Sequence, residues 1–559
     1  MHHHLSLRGK LIIMFSVMAS LFLVALDQTI ISTALGKIVE EFNAYDSLSW
    51  IVTAYLLTTT ATVPIAGKLS DLFGRRKLLL IGVAIFAAGS LFSGYADSIG
   101  MLIGARAIQG IGGGIITANA FTIIGDLFSP RERGKWQGLF GAVFAISSLI
   151  GPLLGGYLTD GNNLLGFTTN WRWAFLINIP VGMVAFILIA IYSPRLKNPA
   201  RPKIDYRGAA LLTVALSTLV LAVDNTASVF SGVMETLNLS LVGLRVIMAL
   251  VVALAIGAFI LVERRAPQPI LPLHFFKNSN YTKIIAIATL FGSAFLGLVI
   301  YLTQFNQQVF AATPTQSGLM LLPMIAGIMI TSVGGGQIIS RTGRYKLFMQ
   351  VGIVVATIMI FTLTTLSPDS TYAYEAVLIF ILGTGLGIVM PVMNLAVQNE
   401  FEQSDLGAAT SSNQLFRSLG STIGIAIFGA ILTAGITTSL NQSLNDDQYI
   451  KALSSNAQVQ KVGNLEDPNT QLTLNMPDVK TKITNSFEAS ISDLQPDQKN
   501  KLSKDFYTAQ NAYSAKIKQA FSTSLRNIFY ISTILMFAAS ILVFTLKERE
   551  LKTVQPVVE

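Results

Sequence analysis

Gly67-Lys68-Leu69-Ser70-Asp71-Leu72-Phe73-Gly74-Arg75-Arg76-Lys77-Leu78 is matched further on by Gly336-Gln337-Ile338-Ile339-Ser340-Arg341-Thr342-Gly343-Arg344-Tyr345-Lys346-Leu347. Each copy is a glycine followed seven positions on by Gly-Arg-x-Lys-Leu. Each closes one long apolar run and opens the next. A repeated connection of this kind marks a duplicated unit. Two related bundles of six helices are therefore expected, with two further helices inserted between them.

The composition agrees. Of 559 residues, 52% are apolar and only 12% charged, about half the charged share of a soluble protein. Mean hydropathy is +0.58. The chain reads as an all-α polytopic membrane protein. Fourteen segments are long enough to span: 11–35, 48–67, 78–96, 101–124, 134–158, 173–193, 207–226, 241–262, 283–309, 317–339, 347–366, 375–398, 408–438 and 524–546. Backbone groups find no water in hydrocarbon, so these segments are helices. None shows the period-2 alternation of a barrel strand. The first run contains an Asp and lacks a small-residue cleavage site, so it reads as a retained helix. Met1-His2-His3-His4, whether tag or native, is set aside.

Lys and Arg fix the orientation. With the N-terminus in the cytoplasm, Arg8, Lys10, Lys68, Arg75 to Lys77, Arg131, Arg133, Arg264, Arg265, Arg341, Arg344, Lys547 and Arg549 all lie inside. Short outer loops hold little beyond Lys37 and Arg172. An even helix count returns the C-terminus to the cytoplasm. The net charge of +9 is thus an orientation signal, and no nucleic-acid partner is implied. No Cys is present, which excludes a thiolate metal site or a Cys nucleophile. No Gly-x-Ser-x-Gly, His-Glu-x-x-His or Walker loop occurs, so an enzyme is not expected.

The division is 1–200 for the N-terminal six-helix bundle, 201–265 for inserted helices 7 and 8, and 266–559 for the C-terminal bundle. The last includes a long outer segment, 439–523, between helices 13 and 14. That segment reads as a solvated loop, a gate or a partner-docking module. Its part from about 497 to 522 has helical spacing and is expected to extend helix 14 outward. Duplicated halves build alternating-access carriers, with the substrate site at the midplane between them.

Several residues carry chemistry. Gly67, Asp71, Gly74 and Arg75, with Gly343 and Arg344 of the second copy, form a candidate latch between the halves. Gly67 and Gly74 permit a tight turn, and Asp71 is free to pair with Arg75 or to cap a helix. Asp27 lies inside helix 1, roughly 12 Å below its outer end. Arg106 lies roughly 8 Å below the outer end of helix 4. An acid at this depth must be neutral, paired or wetted. Burial favours the neutral form of a carboxyl and a nearby guanidinium the charged form, so proton coupling and a permanent structural pair both stand. In helix 5, Gly151, Pro152, Gly155 and Gly156 combine a bend with close packing. Polar or soft side chains on apolar helices outline a candidate substrate cavity: Gln28, Tyr55, Asn119, Gln304, Asn306, Gln307, Met390, Asn394 and Gln398. Helix–helix hydrogen bonding is the competing reading for these. Arg417, placed near the inner end of helix 13, is expected to snorkel or to pair with Glu400, Glu402 or Asp405. Helices 9–12 show no deeply placed carboxylate.

Together these residues resemble the major facilitator superfamily, and within it the fourteen-helix drug:proton antiporters of the quaternary-ammonium-compound exporter type. Gly67–Lys77 resembles the loop 2–3 signature, and Leu26–Leu35 the helix 1 signature. Arg106–Gly110 is similar to the helix 4 motif, and Gly151–Gly156 to the antiporter motif. Trp171–Pro180 is similar to the lead-in to helix 6. The resemblance covers the chain except 439–523. It implies the major facilitator fold, a role for Asp27 and Arg106 in proton coupling, and export of amphiphilic compounds from a bacterial cell across its plasma membrane. The proton is the coupling ion, and no cofactor or metal is expected. Small amphiphiles and membrane lipid are the expected partners of a monomer, with a possible partner at 439–523. The sequence departs from the pattern at Gly36, Leu72 and Ser340. Leu72 leaves the charge latch to Arg75, and Ser340 weakens the second copy. Two rivals remain: a transporter of lipid or cell-envelope precursors, and a sensor or scaffold acting through 439–523.

Overall fold

The computed structural model describes residues 7–42, 48–159, 163–164, 167–193, 204–223, 226–440, 449–450, 453, 472–492 and 495–551. Asp160 and Asp224, the side chain of Pro152 and much of 439–523 lie outside the described residues.

Among the described residues, fourteen helices are long and apolar enough to cross a membrane. Helices 1 to 5 are Leu7–Phe42, Leu48–Phe73, Arg75–Gly94, Ile99–Leu127 and Pro130–Thr159. Helix 6 is a one-turn piece, Trp173–Leu176, followed by Asn178–Tyr192. The inserted pair, helices 7 and 8, are Tyr206–Val223 and Leu241–Glu263. Helices 9 to 14 are Ser279–Val309, Leu322–Thr342, Lys346–Thr362, Tyr372–Glu400, Leu406–Leu440 and Pro496–Phe544. A two-residue antiparallel hairpin, Asn163–Leu164 with Phe167–Thr168, joins helices 5 and 6.

Local chemistry explains several starts. Ser98 accepts from Met101 N, Ser240 from Gly243 N, and Asn278 from Asn280 N and Tyr281 N. Each satisfies a donor that an N-terminus leaves unpaired. Within the spans, hydroxyls such as Ser20, Thr122 and Ser147 donate back to the carbonyl four residues earlier. That removes their polarity from the apolar surroundings. The two copies of the repeated connection fold alike at one point: Gly74 and Gly343 both have positive φ, 90° and 73°. An L side chain is strained there, so glycine is required by the turn.

The buried apolar side chains separate into clusters. One gathers residues from Phe275 to Leu551. Three draw on residues between Ile13 and Ile189. A small one joins Leu212, Leu216 and Phe259 of the inserted pair to Ile270, Leu271 and Leu415.

Helix 14 runs unbroken for 49 residues, about 74 Å at 1.5 Å per residue, more than twice a bilayer core. Its first half therefore stands outside the membrane. The helix Pro477–Ser490 lies against it, with the Phe487 and Phe506 rings stacked at 3.9 Å. Asn475 ties this outer layer to helix 9. It donates to Gln308 Oε1 at 2.7 Å and accepts from Ser514 Oγ at 2.7 Å. The described parts of 439–523 are thus packed on the outer ends of helices 9 and 14.

Candidate functional site: a buried ion pair and a clasp between the halves

Asp27 is fully buried and Arg106 almost so. Arg106 Nη1 donates to Asp27 Oδ2 at 2.5 Å. Asp27 Oδ1 accepts from Gln109 Nε2 at 2.7 Å and from Asn178 Nδ2 at 3.1 Å. Arg106 also donates to Gln109 Oε1 and to the Ile51 carbonyl. Its guanidinium lies 4.4 Å from the centre of the Tyr55 ring. Ser90 of helix 3 accepts from both Gln109 and Asn178. Helices 1, 2, 3, 4 and 6 thus converge on one buried ion pair and its amide partners. A buried carboxylate is tolerated only when its charge is met by a counter-charge and its lone pairs by donors, and both conditions hold. Gln109 follows Arg106 by three positions and so shares its helix face. The role of Asn178, 151 residues from Asp27 in the chain, has no local signal.

The second feature lies on the face carrying the basic loops. Arg75 pairs with Asp71 one helical turn earlier and with Asp126 of helix 4, the latter at 2.9 Å. Asp71 also reaches the other half, where it accepts from Gly407 N at 3.1 Å and Ala408 N at 3.0 Å. These amides begin helix 13, where unpaired N–H groups and the helix dipole favour an anion. Asp71 therefore does both things expected as alternatives, pairing with Arg75 and capping a helix. Gly67 lies against Ser411 and the Gly407 carbonyl. A Cβ added at Gly343 would lie 3.0 Å from Arg131 Nη2 of helix 5, whereas the Arg344 side chain is exposed.

Gln398 reinforces this clasp. It accepts from Gln137 Nε2 at 2.9 Å and donates to the Phe121 carbonyl at 3.0 Å, both in the first half. Helices 5 and 10 touch through Ser332, whose hydroxyl donates to the Gly138 carbonyl at 2.8 Å. The halves are therefore clasped on the side that the orientation rule makes cytoplasmic.

The remaining cavity candidates fall in several places. Gln28 is exposed, next to buried Asp27. Tyr55 is buried against Arg106. Asn119 donates to the carbonyl of Ile115 on its own helix. Gln307 donates to Ser317, and Asn394 accepts from Asn413. Gln304 is half-buried with an unpartnered Oε1. Met390 meets Arg417. Gly151 abuts Thr29 of helix 1, and Thr29 Oγ1 donates to the Ser147 carbonyl. Gly155 and Gly156 accept through their carbonyls from Thr159.

One expectation is corrected. Arg417 pairs with none of Glu400, Glu402 or Asp405. Glu400 instead binds Arg549, Asn278 and Asn280. Arg417 lies eleven residues into helix 13, about 16 Å from its inner end, too deep to reach those acids. Helices 9–12 carry a buried carboxylate, at a helix end rather than at depth. Glu375, in the first turn of helix 12, has no exposed surface, and neither of its oxygens has a hydrogen-bond partner. Packing of the neighbouring helices covers it, with Asn306 facing it.

A cavity of about 900 Å³ lies apart from all these groups, between helices 7, 8 and 13.

The profile of the Major Facilitator Superfamily matches residues 17–425. The chain belongs to that superfamily. It is 33% identical over 550 residues to the multidrug transporter protein MdtP of Bacillus subtilis, covering 97% of this chain and 94% of the relative. It is 33% identical over 455 residues to multidrug resistance protein 3 of the same species, covering 81% and 85%. Two solved structures share the fold. One is the proton:xylose symporter XylE, with TM-score 0.59, 13% identity and 98% and 97% coverage. The other is the human organic anion transporter MFSD10, with TM-score 0.57, 15% identity and 94% and 99% coverage. As a member of this superfamily the protein is a secondary membrane transporter rather than an enzyme.

Proposed function

We propose that the protein exports amphiphilic compounds across a bacterial plasma membrane in exchange for protons. The Asp27–Arg106 pair carries this reading. It is a carboxylate at lipid depth, held by one guanidinium and two amides on helices 1, 4 and 6 of the first half. Relatives named multidrug transporters along nearly the whole chain support the substrate class.

In the clasped arrangement the cytoplasmic side is closed, and a proton from the outer water that neutralises Asp27 loosens its pair with Arg106. Opening of the clasp turns the site to the cytoplasm, where the proton leaves as the pair re-forms. An inward proton gains about 2.3 kcal/mol per 100 mV of membrane potential, enough to drive an uphill exchange. Substrate enters from the cytoplasmic side once the Asp71 and Gln398 contacts open.

The test is transport into inside-out vesicles with an imposed proton gradient. Asp27→Asn should abolish uphill movement of a fluorescent amphiphile while leaving equilibrium binding in place. Undiminished uphill transport by Asp27→Asn would refute the coupling.

A further inference from the structure

Arg417 is a charged side chain with no acid opposite it. Its guanidinium donates to Gln414 Oε1 at 2.8 Å and lies 3.9 Å from the Met390 sulfur. No charged group of the described residues acts on it. Its depth is central: about 16 Å from the inner end of helix 13. Met390 on helix 12 is at matching depth, ten residues or about 15 Å from that helix's inner end. Between residues 385 and 398 of helix 12, Met390 is the one residue not fully buried, which marks an opening at that point. Gln414, Arg417 and Ser418 are half-buried and recur at helical spacing, so they form one polar stripe on helix 13. A half-exposed cation at membrane depth faces a protein cleft rather than lipid.

Among the described residues of the first half, no unpaired acid lies at this depth. Asp27, its deep acid, is committed to Arg106, Gln109 and Asn178. An uncompensated guanidinium with a neighbouring amide suits a carboxylate, which it receives through two parallel N–H donors. The soft Met390 side chain beside it accommodates apolar bodies of varied shape.

We propose that Arg417 is the anion-binding residue of the central cleft, and that the preferred substrates are amphiphiles carrying a carboxylate rather than permanent cations. This rests on the export reading above and specifies its substrate class. Gln414 positions the guanidinium, and Met390 contacts the apolar part of the substrate.

The test uses the purified full-length protein in lipid nanodiscs with no proton gradient, so its outcome is independent of coupling. Two probes are compared, dansyl-undecanoate and a dansyl-labelled alkyltrimethylammonium of matched length. The wild type should bind the carboxylate at least about tenfold more tightly than the cation, and decanoate should displace it where decyltrimethylammonium does not. Arg417→Gln should lose about tenfold or more in carboxylate affinity without loss of cation affinity, and Arg417→Lys should keep part of it. The displacement arm needs no variant, so it decides the matter even where Arg417→Gln does not fold. Equal binding of the two probes, or an unchanged carboxylate affinity in folded Arg417→Gln, overturns the proposal. Binding of the cation alone overturns it and leaves amphiphile export standing, whereas binding of neither probe overturns both.

Discussion

The carboxylate of Asp71, in the first half, accepts the backbone N–H of Ala408, at the start of helix 13 in the second, at 3.0 Å. With Gly407 N it makes a two-point contact that exists only while the halves are closed on that side. Hydrogen bonds to a charged group contribute about 1.5–3 kcal/mol. Asp71→Ala should therefore shift the balance toward the opened state by about tenfold or more. The chain has no Cys, so a single Ser411→Cys reports the opening cleanly. Ser411 is buried, and its labelling by a membrane-impermeant maleimide in inside-out vesicles should speed up in Asp71→Ala. An unchanged rate would show that the clasp is held elsewhere.

Gly138 meets the Ser332 carbonyl where helices 5 and 10 cross. Gly138→Leu should hold the halves apart and reduce transport by at least about tenfold. Gly104 has nothing within 4 Å of an added Cβ, so Gly104→Leu serves as the control and should transport normally. Equal transport by the two variants would mean that this crossing separates freely.

The buried pair should show strong coupling in a double-mutant cycle. Arg106→Gln strands the Asp27 charge, and Asp27→Ala strands the guanidinium. Each should cost about 3–5 kcal/mol. The double variant Asp27→Ala/Arg106→Gln leaves no buried charge and should unfold at a higher temperature than Arg106→Gln alone. Additive losses in detergent-solubilised protein would argue against a buried pair.

Glu41 contributes at the outer face. It accepts from Trp171 Nε1 at 2.6 Å and from Arg172 Nη1 at 2.8 Å, tying helix 1 to the lead-in to helix 6. Burial pushes its carboxyl upward, but the Trp171 and Arg172 donors and the Arg172 charge outweigh this and hold it below the ordinary 4.5. A carboxyl lowered on folding stabilises only above its unfolded value, and that contribution is lost as pH falls through the folded value. Arg172→Gln should therefore cost less than about 1 kcal/mol at neutral pH, because the pair is exposed. The difference from wild type should shrink as pH falls below 4.5 and vanish once the folded carboxyl is protonated. A gap that persists in acid would show that Arg172 acts through the Ala96 carbonyl instead.

Glu375 has two buried oxygens without partners, and unpaired buried polar atoms cost stability. Glu375→Gln keeps the shape and supplies a donor toward Asn306. Its thermal midpoint in detergent should equal or exceed that of wild type, and a marked fall would reveal a partner for the carboxylate.

Hydropathy alone determined the fourteen spans, and Lys and Arg alone their orientation, because both properties act along the chain wherever a segment meets lipid or the membrane surface. The outward run of helix 14 was legible for the same reason: its apolar spacing continues through Phe506, Tyr513 and Phe521. The repeated Gly-Arg-x-Lys-Leu likewise exposed the duplication. Which groups meet was decided only by the tertiary structure. Asn178 reaches Asp27, and Asp71 reaches Ala408, across most of the fold, and no local pattern encodes such distances. Depth was hidden in the same way. Arg417 looked able to reach acids that lie near it in sequence, yet about 16 Å of helix separates it from the membrane face. Burial was hidden too: Glu375 lies in the first turn of helix 12 and neighbouring helices cover it. A charge becomes consequential when packing removes its water and its partners, and packing is a property of the assembled bundle.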